Sequence, residues 1–260
     1  MGYEFIKYEK QGRIARITIN RPDVRNALHP PANQELSAAF DDFAADAECW
    51  VAILSGAGDK SFSAGNDLKY SAEHGMGAVK MGKGGFGGIT SRFDLFKPVI
   101  AAVNGTALGG GFEIALACDI IVAADSATFG LPEPRVGLAA LAGGMQRLPR
   151  HVPPKVAMGM MLTAKPITAQ RAHELGIVNE VVPLKDLQGA AERWANEILE
   201  CSPTSVRVTK QVATLSEGMP LEASMDNSKY PLVGTLFGSE DMTEGIVAFA
   251  QKRKPAWKGK

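Results

Sequence analysis

Three short apolar runs constrain this chain more than any other feature. "WVAILSGAG" (50–58), "KPVIAAVNG" (97–105) and "IIVAA" (120–124) are apolar almost throughout rather than at alternate positions. A strand with one wet face alternates, whereas a continuous apolar run must be covered on both faces. Segments of helical spacing lie between them. Pro30 and Pro31 sit where a helix starts, and Leu36, Phe40, Phe43 and Ala47 recur on one face of the segment 32–47. Strands alternating with helices, each strand covered twice, predict an α/β core. Ahead of it, residues 3–20 alternate as a hairpin with its turn at Lys10-Gln11-Gly12. After Pro166 the segments 168–175, 184–200, 203–216, 219–236 and 239–251 read as helical. Gly176 suits a helix C-terminus and Ser239 an N-cap, with Glu240 and Asp241 in the first turn and Lys252, Arg253 and Lys254 in the last. The expected organisation is therefore an α/β core over 1–165 and a helical region over 166–260.

The chain excludes several classes of function. Its 260 residues are 45% hydrophobic, enough for a full core. Its 28 basic and 28 acidic residues cancel, which removes the electrostatic case for nucleic acid or an anionic membrane. No apolar run reaches the roughly 18–20 residues of a membrane span. The opening "MGYEFIKYEKQGR" has no apolar signal core, and Ile6 stands where a myristoylation signal needs Ser or Thr. Cys49, Cys118 and Cys201 are odd in number and scattered, so neither a disulfide framework nor a zinc site is expected, and a reducing cytoplasm is the expected location. His29, His74, His151 and His173 form no metal-ligand spacing. "GAGDKS" (56–61) and "GTALGG" (105–110) miss both phosphate-binding glycine spacings, and no G-x-S-x-G elbow occurs.

Two glycine-rich sites and two acids remain. "SFSAGNDLK" (61–69) and "GGGFE" (109–113) each follow an apolar strand, and each can aim a backbone N–H, of Asn66 and of Gly110, at one cleft. Gly110 lies at the start of a helix, where N–H groups lack partners and negative charge is favoured. Two converging N–H donors are what an oxyanion hole requires, and a glycine there lets a carbonyl oxygen approach. Glu113 stands in that helix between Phe112 and Ile114, a setting that buries the carboxylate and raises its pKa. Alone, Glu113 reads as a charge complementing the helix dipole, and Glu133, in "GLPEPRVGL", as an ordinary loop acid. The case for chemistry rests on the pair. The segment 74–88, with seven glycines, reads as a surface loop or as a flexible wall that orders on a ligand.

The chain resembles the crotonase superfamily, the enoyl-CoA hydratase/isomerase family, nearly end to end. The matching segments include "RPDVRNAL" (21–28), "SFSAGNDLK", "KPVIAAVNGTALGGGFEIALACDI" (97–120), "ATFGLPEPRVGL" (127–138), "AGGMQRLPR" (142–150) and "AQRAHELGIVNEVVP" (169–183). The resemblance implies a spiral of ββα units followed by a C-terminal helical trimerisation region, and a homotrimer or dimer of trimers. It implies an acyl-CoA thioester whose carbonyl oxygen sits between the N–H groups of Asn66 and Gly110. It also implies two catalytic glutamates, matched by Glu113 and Glu133, twenty residues apart. By the same analogy Glu113 activates water, Glu133 handles the C2 proton, and coenzyme A enters only as part of the substrate, with no separate cofactor or metal. Arg25, Ala27, Ala64, Asp67, Leu68 and Lys69 are expected along the coenzyme A path, with Phe249 and Lys252 reaching it in the same or a neighbouring subunit. Asn66 and Met145 depart from many hydratases of the family. "FSAGNDLK" and "FAQKRKPAWKG" look closer to the carnitinyl/crotonobetainyl-CoA dehydratase-like branch. The expected activity is hydration of a 2-enoyl-CoA, or its reverse. The alternatives are carnitinyl-CoA dehydration, another isomerase or lyase reaction, or a silent acyl-CoA-binding role.

Overall fold

A computed structural model of the chain describes residues 2–75 and 81–260. The opening hairpin pairs β1 (Ile6–Gln11) antiparallel with β2 (Ile14–Ile19). Helix α1 (Pro30–Ala45) begins at the tandem prolines, whose missing N–H groups cost nothing in a first turn. It buries Leu36, Phe40 and Phe43, but it ends before Ala47, which is exposed.

The three apolar runs become three long strands, each followed by a short one. The first unit is β3 (Val51–Gly56), β4 (Ser61–Ser63) and α2 (Leu68–His74). The second is β5 (Val99–Val103), β6 (Thr106–Leu108) and α3 (Gly110–Ala117). The third is β7 (Ile120–Ala124) and β8 (Thr128–Gly130), then a 3-10 turn over Glu133–Val136 and α4 (Gly144–His151). The long strands join a six-stranded sheet of order β1-β2-β3-β5-β7-β10, where β10 is Glu180–Val182. All of its pairings are parallel except that of the hairpin. The short strands form a second sheet of order β4-β6-β8-β9, with β9 (Ile167–Thr168) antiparallel at its edge. This repeat of long strand, short strand and helix is the ββα spiral that the resemblance implied. Every residue of β3 and β5 is buried, as runs apolar on both faces require. Each Val, Leu or Ile so placed contributes about 1.5–3 kcal/mol of burial.

Beyond α5 (Pro154–Thr163) come α6 (Ala169–Glu174), α7 (Leu187–Leu199), α8 (Pro203–Leu215), α9 (Leu221–Ser224), α10 (Pro231–Leu236) and α11 (Glu240–Ala250). Pairing in both sheets continues past residue 165, through β9 and β10. Among the described residues no helix is long and apolar enough to cross a membrane.

Several local expectations fail for identifiable reasons. The helix expected over 219–236 is broken into α9, a 3-10 turn at Asn227–Lys229 and α10. Pro220 and Pro231 each precede or open a new turn, because proline has no N–H to continue an old one. Helix α11 stops at Ala250, so Lys252, Arg253 and Lys254 lie beyond its last turn; Arg253 instead pairs with Glu244. The segment 74–88 divides. His74 closes α2, residues 76–80 lie outside the described residues, and 86–88 are buried rather than looped on the surface. There the Gly87 N–H donates to Asn33 Oδ1 of α1 at 2.7 Å, so glycines expected to be mobile are instead packed against a helix.

Candidate active site

Gly65 is the hinge of the site. Its φ of +83° lies in the left-handed region, and a Cβ there would come within 2.7 Å of the Gly110 nitrogen and 2.8 Å of the Leu108 oxygen. Only glycine lets the loop after β4 lie this close to the start of α3. The neighbouring residue, Asn66, bridges to Leu28 in a parallel arrangement: Leu28 N–H donates to Gly65 O, and Asp67 N–H donates to Leu28 O. That pattern uses the groups on either side of Asn66 and leaves its own N–H pointing away from Leu28. Among the described residues neither the Asn66 N–H nor the Gly110 N–H donates a hydrogen bond. The Asn66 side chain donates to Ser71 Oγ at 3.0 Å, so the amide is taken up by α2 and does not fill the space before its backbone.

Both residues line a cleft of about 540 Å³, within the range of small-molecule sites. Glu113 and Glu133 line the same cleft, with Ala64, Leu68, Phe86 and a largely apolar wall from Val136 to Ala142. The narrow approach at Gly110 has a second cause, since a side chain there would overlap the Phe86 ring.

Glu113 is only 3% exposed, in the first turn of α3. Its Oε1 accepts the Gly144 N–H at 2.8 Å, at the start of α4. Burial raises its pKa to about 7; the charge of Glu133 pushes the same way, while the Gly144 and Ala142 N–H groups and Arg147 oppose it. Glu133 opens the 3-10 turn after β8, and its carboxylate lies over Gly109, the residue that caps α3. Burial raises its pKa as well, and its Oε2 is buried with no hydrogen-bond partner among the described residues. A buried carboxylate oxygen with nothing to accept from is costly, and such atoms gather where a ligand completes the set.

The other expected residues divide. Ala64 and Leu68 line the cleft. Arg25 is exposed with φ +56°, and its carbonyl accepts the Ala64 N–H, so the turn 25–28 runs beside the cleft without lining it. Ala27 is buried behind that turn, and Lys69 points outward from α2. The Asp67 side chain is engaged elsewhere: it caps α2 at the Tyr70 N–H and pairs with Arg21 at 3.0 Å. Phe249 and Lys252 are not among the cleft residues; Phe249 is 88% exposed on α11. Met145, on α4, lines a separate apolar pocket of about 380 Å³ that shares Glu133 and Ala139 with the cleft. The residues that hold Glu113 from behind were not singled out from the sequence. Gly144 and Arg147 lie in "AGGMQRL", where a glycine pair before an amphipathic segment was a usable signal for a helix start. Arg147 ties that helix to Thr90 O at 2.8 Å.

Comparison with known proteins gives a consistent picture. The chain matches the family Enoyl-CoA hydratase/isomerase over residues 9–260. It is 41% identical to the carnitinyl-CoA dehydratases of Citrobacter koseri and of Escherichia coli O157:H7, over 99% of each chain. It is also similar to the crystal structure of an enoyl-CoA hydratase from Mycobacterium tuberculosis H37Rv, with a TM-score of 0.91 and 40% identity over 98% of this chain and 99% of that one. An enoyl-CoA hydratase from Mycobacterium marinum superposes with a TM-score of 0.92 at 41% identity, with 98% and 99% covered. The chain has the crotonase fold and belongs to the enoyl-CoA hydratase/isomerase family.

Proposed function

We propose that this protein is a 2-enoyl-CoA hydratase, adding water reversibly across the 2,3 double bond of an acyl thioester. The observation that carries the reading is the meeting, in one cleft, of two carboxylates of raised pKa with two backbone N–H groups that have no partner among the described residues. The thioester oxygen accepts from the Asn66 and Gly110 N–H groups, which stabilise the enolate charge as it forms; one such donor is worth about 10²–10³ in rate. Glu113, held by the Gly144 N–H through Oε1, takes a proton from water as the water oxygen bonds to C3. Glu133 delivers a proton to C2. Net, OH adds to C3 and H to C2, and the two carboxylates exchange roles in the reverse direction. A pKa near 7 suits Glu113 to both directions, since a base and its conjugate acid are then both populated at neutral pH. The charge of Glu133 acts on Glu113, so the two ionisations are linked. Coenzyme A enters as part of the substrate and no further cofactor takes part. The turn 25–28 and Lys69 are the proposed contacts for its outer portion, with Phe249 and Lys252 serving it in an assembled trimer or dimer of trimers.

A second reading, dehydration of carnitinyl-CoA, is favoured by the names of the 41%-identical relatives. The cleft lining speaks for an uncharged acyl group instead. Among the described residues that lining is mostly apolar, with one aromatic ring, Phe86, one cation, Arg135, and no acid besides the two glutamates. A quaternary ammonium is ordinarily held by a cage of several aromatic faces or by a carboxylate not engaged in the chemistry, and the described lining has a single ring with a cation nearby. Turnover of crotonyl-CoA and of carnitinyl-CoA at matched concentrations separates the two. The hydratase reading expects crotonyl-CoA to be preferred by at least about tenfold in kcat/KM. A preference for carnitinyl-CoA overturns the choice of substrate, and no turnover of either removes the hydratase reading.

A further inference from the structure

A second cavity, which shares no lining residue with the cleft, lies where the end of α1, Trp50, the start of α8 and the C-terminal segment meet. It has a volume of about 160 Å³ and is lined by Ala44, Trp50, Lys97, Pro203, Arg207 and Gly259, among others. At ~30 Å³ per water, that is room for about five waters, or for one phosphate-sized group.

Two cations face it, and neither has a carboxylate partner among the described residues. Lys97 is 7% exposed; its ammonium donates to the carbonyls of Phe43 (2.8 Å) and Asp46 (2.5 Å), and the Phe43 ring lies beneath it. Those two carbonyls leave one of its three donors without a partner among the described residues. Arg207, on α8, donates from Nη2 to Gly259 O at 3.5 Å, while its Nε is buried with no partner among the described residues. Two acidic side chains in the neighbourhood are committed elsewhere, and Lys260 O accepts the Asp241 N–H at 3.1 Å. The Asp46 carboxylate pairs with Lys10 at 2.6 Å. The Asp241 carboxylate accepts from Ser202, Thr204 and the N–H groups of Lys258 and Gly259. A cationic pair drawn together without a counter-charge is unfavourable by itself, and burial with Arg207 nearby holds the Lys97 pKa below its ordinary value. An oxyanion between the two would neutralise the pair, accept the free Lys97 donor and satisfy the Arg207 Nε–H in a charge-assisted bond.

We propose that this cavity is a binding site for one small oxyanion, bridging Lys97 and Arg207 and fastening the C-terminal segment to the end of α1. The site is independent of the reaction assigned to the cleft.

Trp50 lines the cavity, so its fluorescence reports occupancy. The test titrates the full-length protein with sodium phosphate, sodium acetate and sodium chloride at matched ionic strength, following tryptophan emission and thermal melting. The expected result is a saturable emission change with phosphate, acetate or both, beyond that with chloride. A Tm increase of roughly 3–5 °C should accompany it at ten times Kd, as mass action predicts for a native-state ligand. Which oxyanion acts decides between a phosphate and a carboxylate ligand. Trp50→Phe should lose the emission change and keep the Tm rise. Arg207→Gln should lose both, and Arg207→Lys, which keeps the charge but removes Nε–H, should weaken binding about tenfold. Equal responses to all three salts, or a phosphate or acetate response unchanged in Arg207→Lys, would overturn the proposal.

Discussion

Glu113→Gln separates the electrostatics of the site from its packing. Glutamine keeps the shape and can still accept the Gly144 N–H, so the anchor at α4 survives. What it removes is the ability to carry a charge in a place only 3% exposed. The wild-type carboxyl titrates near 7 when folded, against an ordinary value of 4.5. Its folded pKa is raised, so the folded state binds the proton more tightly than the unfolded chain does. The associated stability is fully present below pH 4.5 and is lost as pH rises through 7. A gap of about two and a half pH units corresponds to about 3 kcal/mol at 1.36 kcal/mol per unit. Glu113→Gln lacks that loss. Urea denaturation should therefore find the variant within about 1 kcal/mol of wild type at pH 5 and about 3 kcal/mol more stable at pH 8.5. Its kcat should fall by at least about 10²-fold at every pH, because the amide cannot take a proton from water. A variant less stable than wild type at pH 8.5, or a stability difference that does not change with pH, would refute the claim that a buried, hard-to-ionise carboxyl stands here.

Two further perturbations probe the other half of the site. Glu133→Gln should lower kcat for a 2-enoyl-CoA by at least about 10²-fold with little change in KM, since the amide still fills the space over Gly109 but delivers no proton; steady-state kinetics read the split. Gly65→Ala should force the loop off Gly110, separate the two N–H donors and lower kcat/KM by about 10²–10³-fold while both glutamates remain in place; wild-type turnover would show that the close approach at Gly65 is not what aligns them.

The parts of this fold legible in the sequence were those with long-range periodicity. The three apolar runs and α1 were read because burial on both faces, or on one helical face, writes a pattern several residues long. The second sheet escaped because its members are two or three residues each, too short to show any period; β9 is only Ile167–Thr168. For Gly87 and Gly88 the surface-loop alternative fails for a related reason, while Met81 and Phe86 of the same segment do line the cleft. Glycine is frequent in loops, yet here it permits a chain to press against α1, and a sequence does not distinguish the two uses. At the site, Glu113 was legible as an acid without a polar face, and the two N–H groups as glycine-rich strand ends. Glu133 became a candidate only through its spacing from Glu113 within a family resemblance, because its own surroundings, Pro132 and Pro134, are those of any surface turn. Gly144 was not anticipated as a partner, since its contact with Glu113 spans thirty-one residues and depends on how α4 folds back over α3. Asp67 lies in the right segment but serves as a helix cap, a role its position before "LKYS" also allowed.

In the proposed mechanism water is added at C3 under the paired action of Glu113 and Glu133. Crotonyl-CoA incubated with the protein in ¹⁸O-labelled water tests it most directly, with enoyl-thioester absorbance and product mass followed together. The expected result is loss of that absorbance and one ¹⁸O in the 3-hydroxyacyl product, with both signals lost in Glu113→Gln and Glu133→Gln. Consumption of substrate without ¹⁸O incorporation, or wild-type labelling in either variant, would contradict it.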